Sequence, residues 1–288
     1  MGSKSTDWTV LKMLTWATSY FEEKGIRNPR LSIEWLLAEV LQKKRLDLYL
    51  IYDRPLSREE LDVIKPMIKR RAQHEPLQYI VGNANFFGTT LKVSPDVLIP
   101  RPETEELVDW VLQNTPSNDP FIVLDIGTGS GCIPIALKKA RSNWSIHAFD
   151  VSNDALLTAT ENAFLNGTEI NFWEDDIFSP SNKLLAQEFN IITSNPPYIL
   201  HSEAQHLDIE VKAFEPSLAL FTSSTEKIFK AIIQFSTKCL KQNGLLAIEI
   251  NEKFGNEVLT LFDDQVWEAF IHKDYGGKDR FIFAKKMK

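Results

Sequence analysis

Ser194-Asn195-Pro196-Pro197-Tyr198 is the run best built to hold a planar NH2 group. It follows Phe189-Asn190-Ile191-Ile192-Thr193, an apolar, β-branched stretch that reads as a buried strand. Two consecutive prolines stop a helix and cannot continue a central strand, so the strand ends in a stiff turn. There Asn195 offers a carbonyl acceptor and an NH2 donor, the Ser194 and Pro196 carbonyls add acceptors, and Tyr198 adds a ring. Taken alone, the run fits an ordinary proline-rich turn equally well. Two further stretches bear on the choice. Phe121–Ile126 is a buried strand that carries Asp125 and runs into Gly127-Thr128-Gly129-Ser130-Gly131 ahead of a helix. Such a loop lets the backbone turn tightly and approach a ligand. One βα unit later, Asp150 closes the strand Ser145–Phe149, and Glu174-Asp175-Asp176-Ile177-Phe178 follows a third strand.

The loop is close to a dinucleotide fingerprint, but Cys132 stands where G-x-G-x-x-G needs its last glycine. G-x-G-x-G after an acidic strand end resembles instead the loop of methyltransferases that use S-adenosylmethionine. On that reading Asp125 positions the loop and the ligand's ammonium. Asp150 accepts from both ribose hydroxyls, Asp176 bonds the adenine amino group, and Ile177 or Phe178 covers the ring. Asp175 reads as a solvated turn residue. Ser152 and Asn153 cap the next helix, which leaves Asp150 for the ligand.

Alternating elements must position these residues. Strands are expected at 121–126, 145–149, 170–173, 189–194 and 245–250, and helices at 131–141, 153–166, 225–241 and 254–263. Two more strands are expected at 265–272 and 280–285. The alternation predicts an α/β domain with a mostly parallel sheet over 101–288. Residues 83–100 read as a β-hairpin linker around Gly88. Residues 1–82 read as a helical bundle: one helix capped by Asp7, one over 31–43, a leucine-rich piece around 46–51, and one opened by the capping box Ser57-Arg58-Glu59-Glu60 and bent at Pro66. That bundle carries no catalytic constellation and suits partner recognition or packing.

Bulk properties exclude several classes. No apolar run approaches a membrane span, and the N-terminus lacks a signal-peptide core. Met1-Gly2-Ser3-Lys4-Ser5-Thr6 formally fits a myristoylation pattern, but such short matches arise by chance and a flexible or vector-derived start explains it. Only Cys132 and Cys239 occur, which fits a reducing cytoplasm; Cys239 reads as core. Residues 1–82 hold 14 Lys and Arg against 11 Asp and Glu, whereas the remainder holds 18 against 28. The larger part is thus a poor general binder of nucleic acid and better matched to a basic protein partner. The five histidines show no metal-ligand spacing.

The order GTGSG, Asp150, Asp176, NPPY, with Ile99-Pro100-Arg101-Pro102-Glu103-Thr104-Glu105 and a helical region before it, resembles the PrmC/HemK family across nearly the whole chain. Glu75–Gly82, Phe214-Glu215-Pro216-Ser217-Leu218-Ala219-Leu220 and Asp274-Tyr275-Gly276-Gly277-Lys278-Asp279-Arg280 share in the resemblance. Ile177 departs from it, because some members carry an adenine-covering aromatic there. The resemblance implies a Rossmann-like class I methyltransferase domain with a seven-stranded sheet, in a cytoplasmic monomer. It implies methyl transfer from S-adenosylmethionine to the amide nitrogen of the Gly-Gly-Gln glutamine of class I peptide chain release factors. Asn195 and Pro196 would accept the two amide N–H bonds, Pro197 would stiffen the turn and Tyr198 would pack on the glutamine. The cofactor would lie on Asp125, residues 127–131, Asp150, Asp176, Ile177 and Asn195. Glu215 would shape the entrance or brace a loop, and Arg101 would brace the linker. The rival reading is an amino-methyltransferase of adenine or guanine, which the acidic catalytic part disfavours.

Overall fold

The structure, a computed structural model, describes residues 8–287 and divides into two units: Met1–Gly82 with Asp208–Phe214, and Asn83–Leu207 with Glu215–Lys288. The myristoylation pattern of Met1–Thr6 and the Asp7 cap lie outside the described residues.

The first unit is helical. Val10–Glu23 is capped by Thr9, whose hydroxyl accepts from Lys12 N. Pro29–Leu41 carries proline in its first turn, where no N–H is missed. Arg58–Arg71 opens with the expected reciprocal box between Ser57 and Glu60. Leu14, Phe21, Ile33, Leu36, Leu37 and Ile64 form a dry core between these helices. The leucine-rich piece is a 3-10 turn over Arg45–Leu50 that buries Leu48 and exposes Leu46 and Leu50. Asp208–Phe214, which sequence alone assigns to the catalytic part, belongs to this unit. Arg71 holds it by a 2.8 Å bond to Glu210.

Two charged side chains of this unit, Arg71 and Glu34, are buried. Glu34, 2% exposed, accepts from Arg30 Nε (2.8 Å), Arg45 Nη1 (2.9 Å) and the Tyr49 hydroxyl (2.8 Å). Burial opposes its charge, but these three donors outweigh it and hold the carboxyl below its ordinary range. Removing one member of such a cluster strands the others. Glu34→Ala is therefore expected to cost about 3 kcal/mol, read as a fall of about two orders of magnitude in hydrogen-exchange protection over residues 33–37. Unchanged protection would mean that the cluster is surface decoration.

The second unit begins with a hairpin, β1 (Asn83–Phe86) and β2 (Thr89–Lys92), closed by Phe87 and Gly88 at φ 46 and 69. Positive φ at both turn positions matches the twist of the strands. The hairpin does more than link. Phe86 and Leu91 enter the same core as Leu107, Val108 and Trp144. Then come β3 (Ile122–Ile126), β4 (Ser145–Asp150), β5 (Asn171–Glu174), β6 (Phe189–Ser194), a short parallel pair β7 (Ile199–Leu200) and β8 (Phe221–Thr222), and β9 (Leu240–Glu249), β10 (Trp267–Lys273) and β11 (Asp279–Lys286).

Seven of these strands form one sheet in the order β10-β11-β9-β6-β3-β4-β5. The five from β9 to β5 run parallel; β11 is antiparallel to β9, and β10, antiparallel to β11, runs in the direction of the five. β3 lies at the switch point. Successive crossovers carry the chain outward to β4 and β5, then back to β6 on its other side. Ligands of open α/β sheets bind beside the carboxyl ends of the strands at such a point. Register does the rest: Asp125 pairs with Thr193, Ile126 with Ser194, and Ser194 with Ile248. Glu249 is thereby set beside Asn195. Asp274 organises the β10–β11 turn, accepting from Lys278 N (2.9 Å) and Arg280 Nε (3.1 Å).

Candidate active site

The glycine loop is built from its backbone. Phe149 O accepts from Gly127 N at 3.0 Å and from Thr128 N at 3.1 Å. Gly131 has φ +78, and a Cβ there would stand 3.1 Å from Ala159 Cβ. Conformation and packing both demand glycine at that position. A Cβ on Gly127 or Gly129 would meet nothing within 4 Å, so that face opens onto a cavity. Asn162, fully buried, ties the hairpin to the loop. It accepts from Lys92 N (2.6 Å) and donates to Ser130 O (2.9 Å).

Asp150 does more than the sequence suggests. Its Oδ2 accepts from Gly129 N at 2.8 Å and its Oδ1 from Ser152 N at 3.0 Å. It clamps the loop and still has lone pairs for a hydroxylated ligand. Burial pushes its carboxyl up, against the pull of these amides. The Ser152 hydroxyl caps the next helix as expected, accepting from Ala155 N at 3.2 Å.

Asp125 stands beneath the loop, 1% exposed. Its Oδ1 accepts from the Thr193 hydroxyl at 2.7 Å, across the β3–β6 register. Its Oδ2 and the Thr128 and Ser130 hydroxyl oxygens are buried with no hydrogen-bond partner at ordinary geometry. Orphaned buried polar atoms are costly and rare. Three of them around one glycine loop, a carboxylate oxygen and two hydroxyls, fit a group that carries an ammonium and a carboxylate, such as the amino-acid part of S-adenosylmethionine.

Burial raises the Asp125 carboxyl to about 7. The Thr193 and nearby Thr128 hydroxyls oppose that rise, and the Asp150 charge adds to it. Between the ordinary aspartate value of 3.8 and about 7, the folded protein holds a proton here that the unfolded chain has released. The folded state binds more protons in that window, so this group's contribution to stability falls as pH rises through it. In the cofactor-free protein, Asp125→Asn is expected to remove that slope. Its melting temperature should gain on the wild type across the window, whereas parallel curves would contradict the assignment.

At the end of β5 the two aspartates differ from expectation. Asp175 is 9% exposed and is not a solvated turn residue. Its Oδ1 accepts from Asp176 N (2.9 Å) and Ser181 N (3.0 Å), and its Oδ2 from the Ser181 hydroxyl (2.6 Å). Asp176 accepts from Phe178 N at 2.9 Å and lines the cavity with Ile177 and Phe178.

The proline turn brings Asn195, Pro196 and Pro197 to the same cavity. Asn195 Nδ2 donates to Thr104 Oγ1 at 3.0 Å, and that hydroxyl donates to Glu249 Oε2 at 2.6 Å. The Tyr198 hydroxyl donates to Glu249 Oε1 at 3.0 Å. Burial, then the Glu249 charge, push the Tyr198 hydroxyl far above its ordinary value, so it stays a donor. Tyr198 packs its ring on the core instead of standing free beside the cavity. Sequence reasoning missed Thr104, Thr193 and Glu249. Glu215, 6% exposed, braces the linker: it accepts from Ile99 N at 3.3 Å and from Arg101 Nη2 at 2.6 Å. Cys239 is core, and His201 and His206 are exposed.

A seven-stranded sheet of this order, with a glycine loop at the carboxyl end of its switch-point strand, defines a class I S-adenosylmethionine-dependent methyltransferase. A methyltransferase from Pyrococcus furiosus shares the fold with a TM-score of 0.52 at 16% identity, over 70% of this chain and 91% of that one. Residues 12–82 match the PrmC N-terminal domain and residues 108–223 the methyltransferase small domain. The chain is 37% identical to a release factor glutamine methyltransferase of Geobacter sulfurreducens, over 98% of each chain. It is 42% identical to the enzyme of that name in Lactococcus lactis, over 80% of this chain and 84% of the relative. The chain belongs to the release factor glutamine methyltransferase family. Among the described residues no helix is long and apolar enough to cross a membrane.

Proposed function

We propose that this protein transfers a methyl group from S-adenosylmethionine to the side-chain amide nitrogen of the glutamine in the Gly-Gly-Gln motif of class I peptide chain release factors. The observation that carries the reading is the Asn195 amide, fixed by Thr104 at the rim of a cavity whose other wall is the glycine loop. S-adenosylmethionine, when bound, would supply a methyl on a sulfonium, an electrophile open to a weak nucleophile, with the thioether S-adenosylhomocysteine as the product. Asp125, residues 127–131, Asp150, Asp176 and Ile177 would hold it.

An amide nitrogen is a poor nucleophile because its lone pair is delocalised into the carbonyl. Asn195 Oδ1 and the Pro196 carbonyl accept its two N–H bonds, turn its lone pair toward the cavity and stabilise positive charge growing on nitrogen. Pro197 keeps the turn stiff, so little reorganisation is needed. The proton lost from nitrogen passes to water. We assign release-factor recognition to the helical unit, and place the enzyme in the cytoplasm as a monomer that acts in translation termination. The acidic catalytic part speaks against a nucleic-acid substrate.

With labelled S-adenosylmethionine, purified protein is expected to label a class I release factor and not its Gln→Ala version. Label on tRNA, rRNA or DNA instead would overturn the proposal.

A further inference from the structure

We infer that Glu249, acting through Thr104, sets which end of the Asn195 amide faces the substrate. The inference rests on the role just proposed for Asn195. Thr104 has one hydroxyl proton and directs it to Glu249 Oε2, 2.6 Å away. With that proton committed, its oxygen can only accept from Asn195, 3.0 Å away. Asn195 must therefore turn Nδ2 to Thr104, which leaves Oδ1 to the cavity. If the hydroxyl instead pointed to Asn195, the amide would have to rotate and offer an NH2 to a substrate that itself brings an NH2.

Glu249 is suited to fixing this direction. It is 1% exposed, and both its oxygens accept, one from Thr104 and the other from Tyr198. Tyr198 and Asn195 belong to the same proline turn, so one carboxylate orients the turn at two points. Thr104 and Glu249 are positioning residues, since neither is placed against the reacting atoms.

Thr104→Val keeps the shape and removes the hydroxyl. It is expected to lower kcat for release-factor methylation by about 100-fold, the scale of a misplaced reacting group, with the release-factor KM and the calorimetric cofactor Kd unchanged. Thr104→Ser, which keeps the hydroxyl, should restore kcat. Glu249→Gln turns one acceptor into a donor and should lower kcat about tenfold or more with the same KM. A Thr104→Val enzyme with wild-type kcat, a loss confined to KM, or a serine variant as poor as the valine one would overturn the inference. Asn195→Ala measured alongside separates the two failures. If it abolishes transfer while Thr104→Val does not, only this inference falls. If it retains transfer, the assignment of Asn195 falls as well.

Discussion

Asn195→Ala is expected to lower kcat by about three orders of magnitude, with cofactor affinity falling much less. Loss of a single preorganised group at the site of developing charge costs this much in other enzymes. Here the group also orients the nucleophile, because its carbonyl and that of Pro196 take both N–H bonds of the incoming amide. Its amide is tied to Thr104 rather than to the glycine loop, so the cofactor side of the cavity keeps its contacts. Single-turnover transfer and calorimetry together decide the matter. An equal loss of binding and transfer would mean that Asn195 only holds the cofactor.

Asp150→Ala should show the opposite pattern, with cofactor affinity down by about 1,000-fold. The carboxylate makes two backbone bonds, to Gly129 N and Ser152 N, and each bond to a charged group is worth about 1.5–3 kcal/mol. Their loss frees the Gly129 backbone, which has no side chain of its own to restrain it, and removes the expected acceptor for the ribose hydroxyls. The sheet register around β4 does not depend on this side chain, so the fold should survive, as circular dichroism would show. A variant that binds the cofactor normally would place the ligand elsewhere.

These two residues were legible because their signals are local. Asp150 ends a short strand that carries Ile146, Ala148 and Phe149, and Asn195 sits before two prolines that must break one. The parallel order followed from the same alternation. Thr104 and Glu249 were not legible, because the bond joining them spans 145 residues and comes from the sheet register, not from any motif. Thr104 lies inside IPRPETE, yet the sequence there signals only a helix start. Asp175 misled for a related reason: two acidic residues in a turn read as solvated, but Ser181 folds back and buries the first. The hairpin read as a linker because its strands are short, although the alternating apolar residues Phe86 and Leu91 were the sign that one face is buried.

Methylation of a purified class I release factor, followed by peptide mass mapping, tests the central claim most directly. The expected result is a single added methyl on the glutamine of the Gly-Gly-Gln motif, fragmenting as a side-chain amide modification. A methyl on any other residue, or an unmodified release factor beside a labelled nucleic acid, would contradict it.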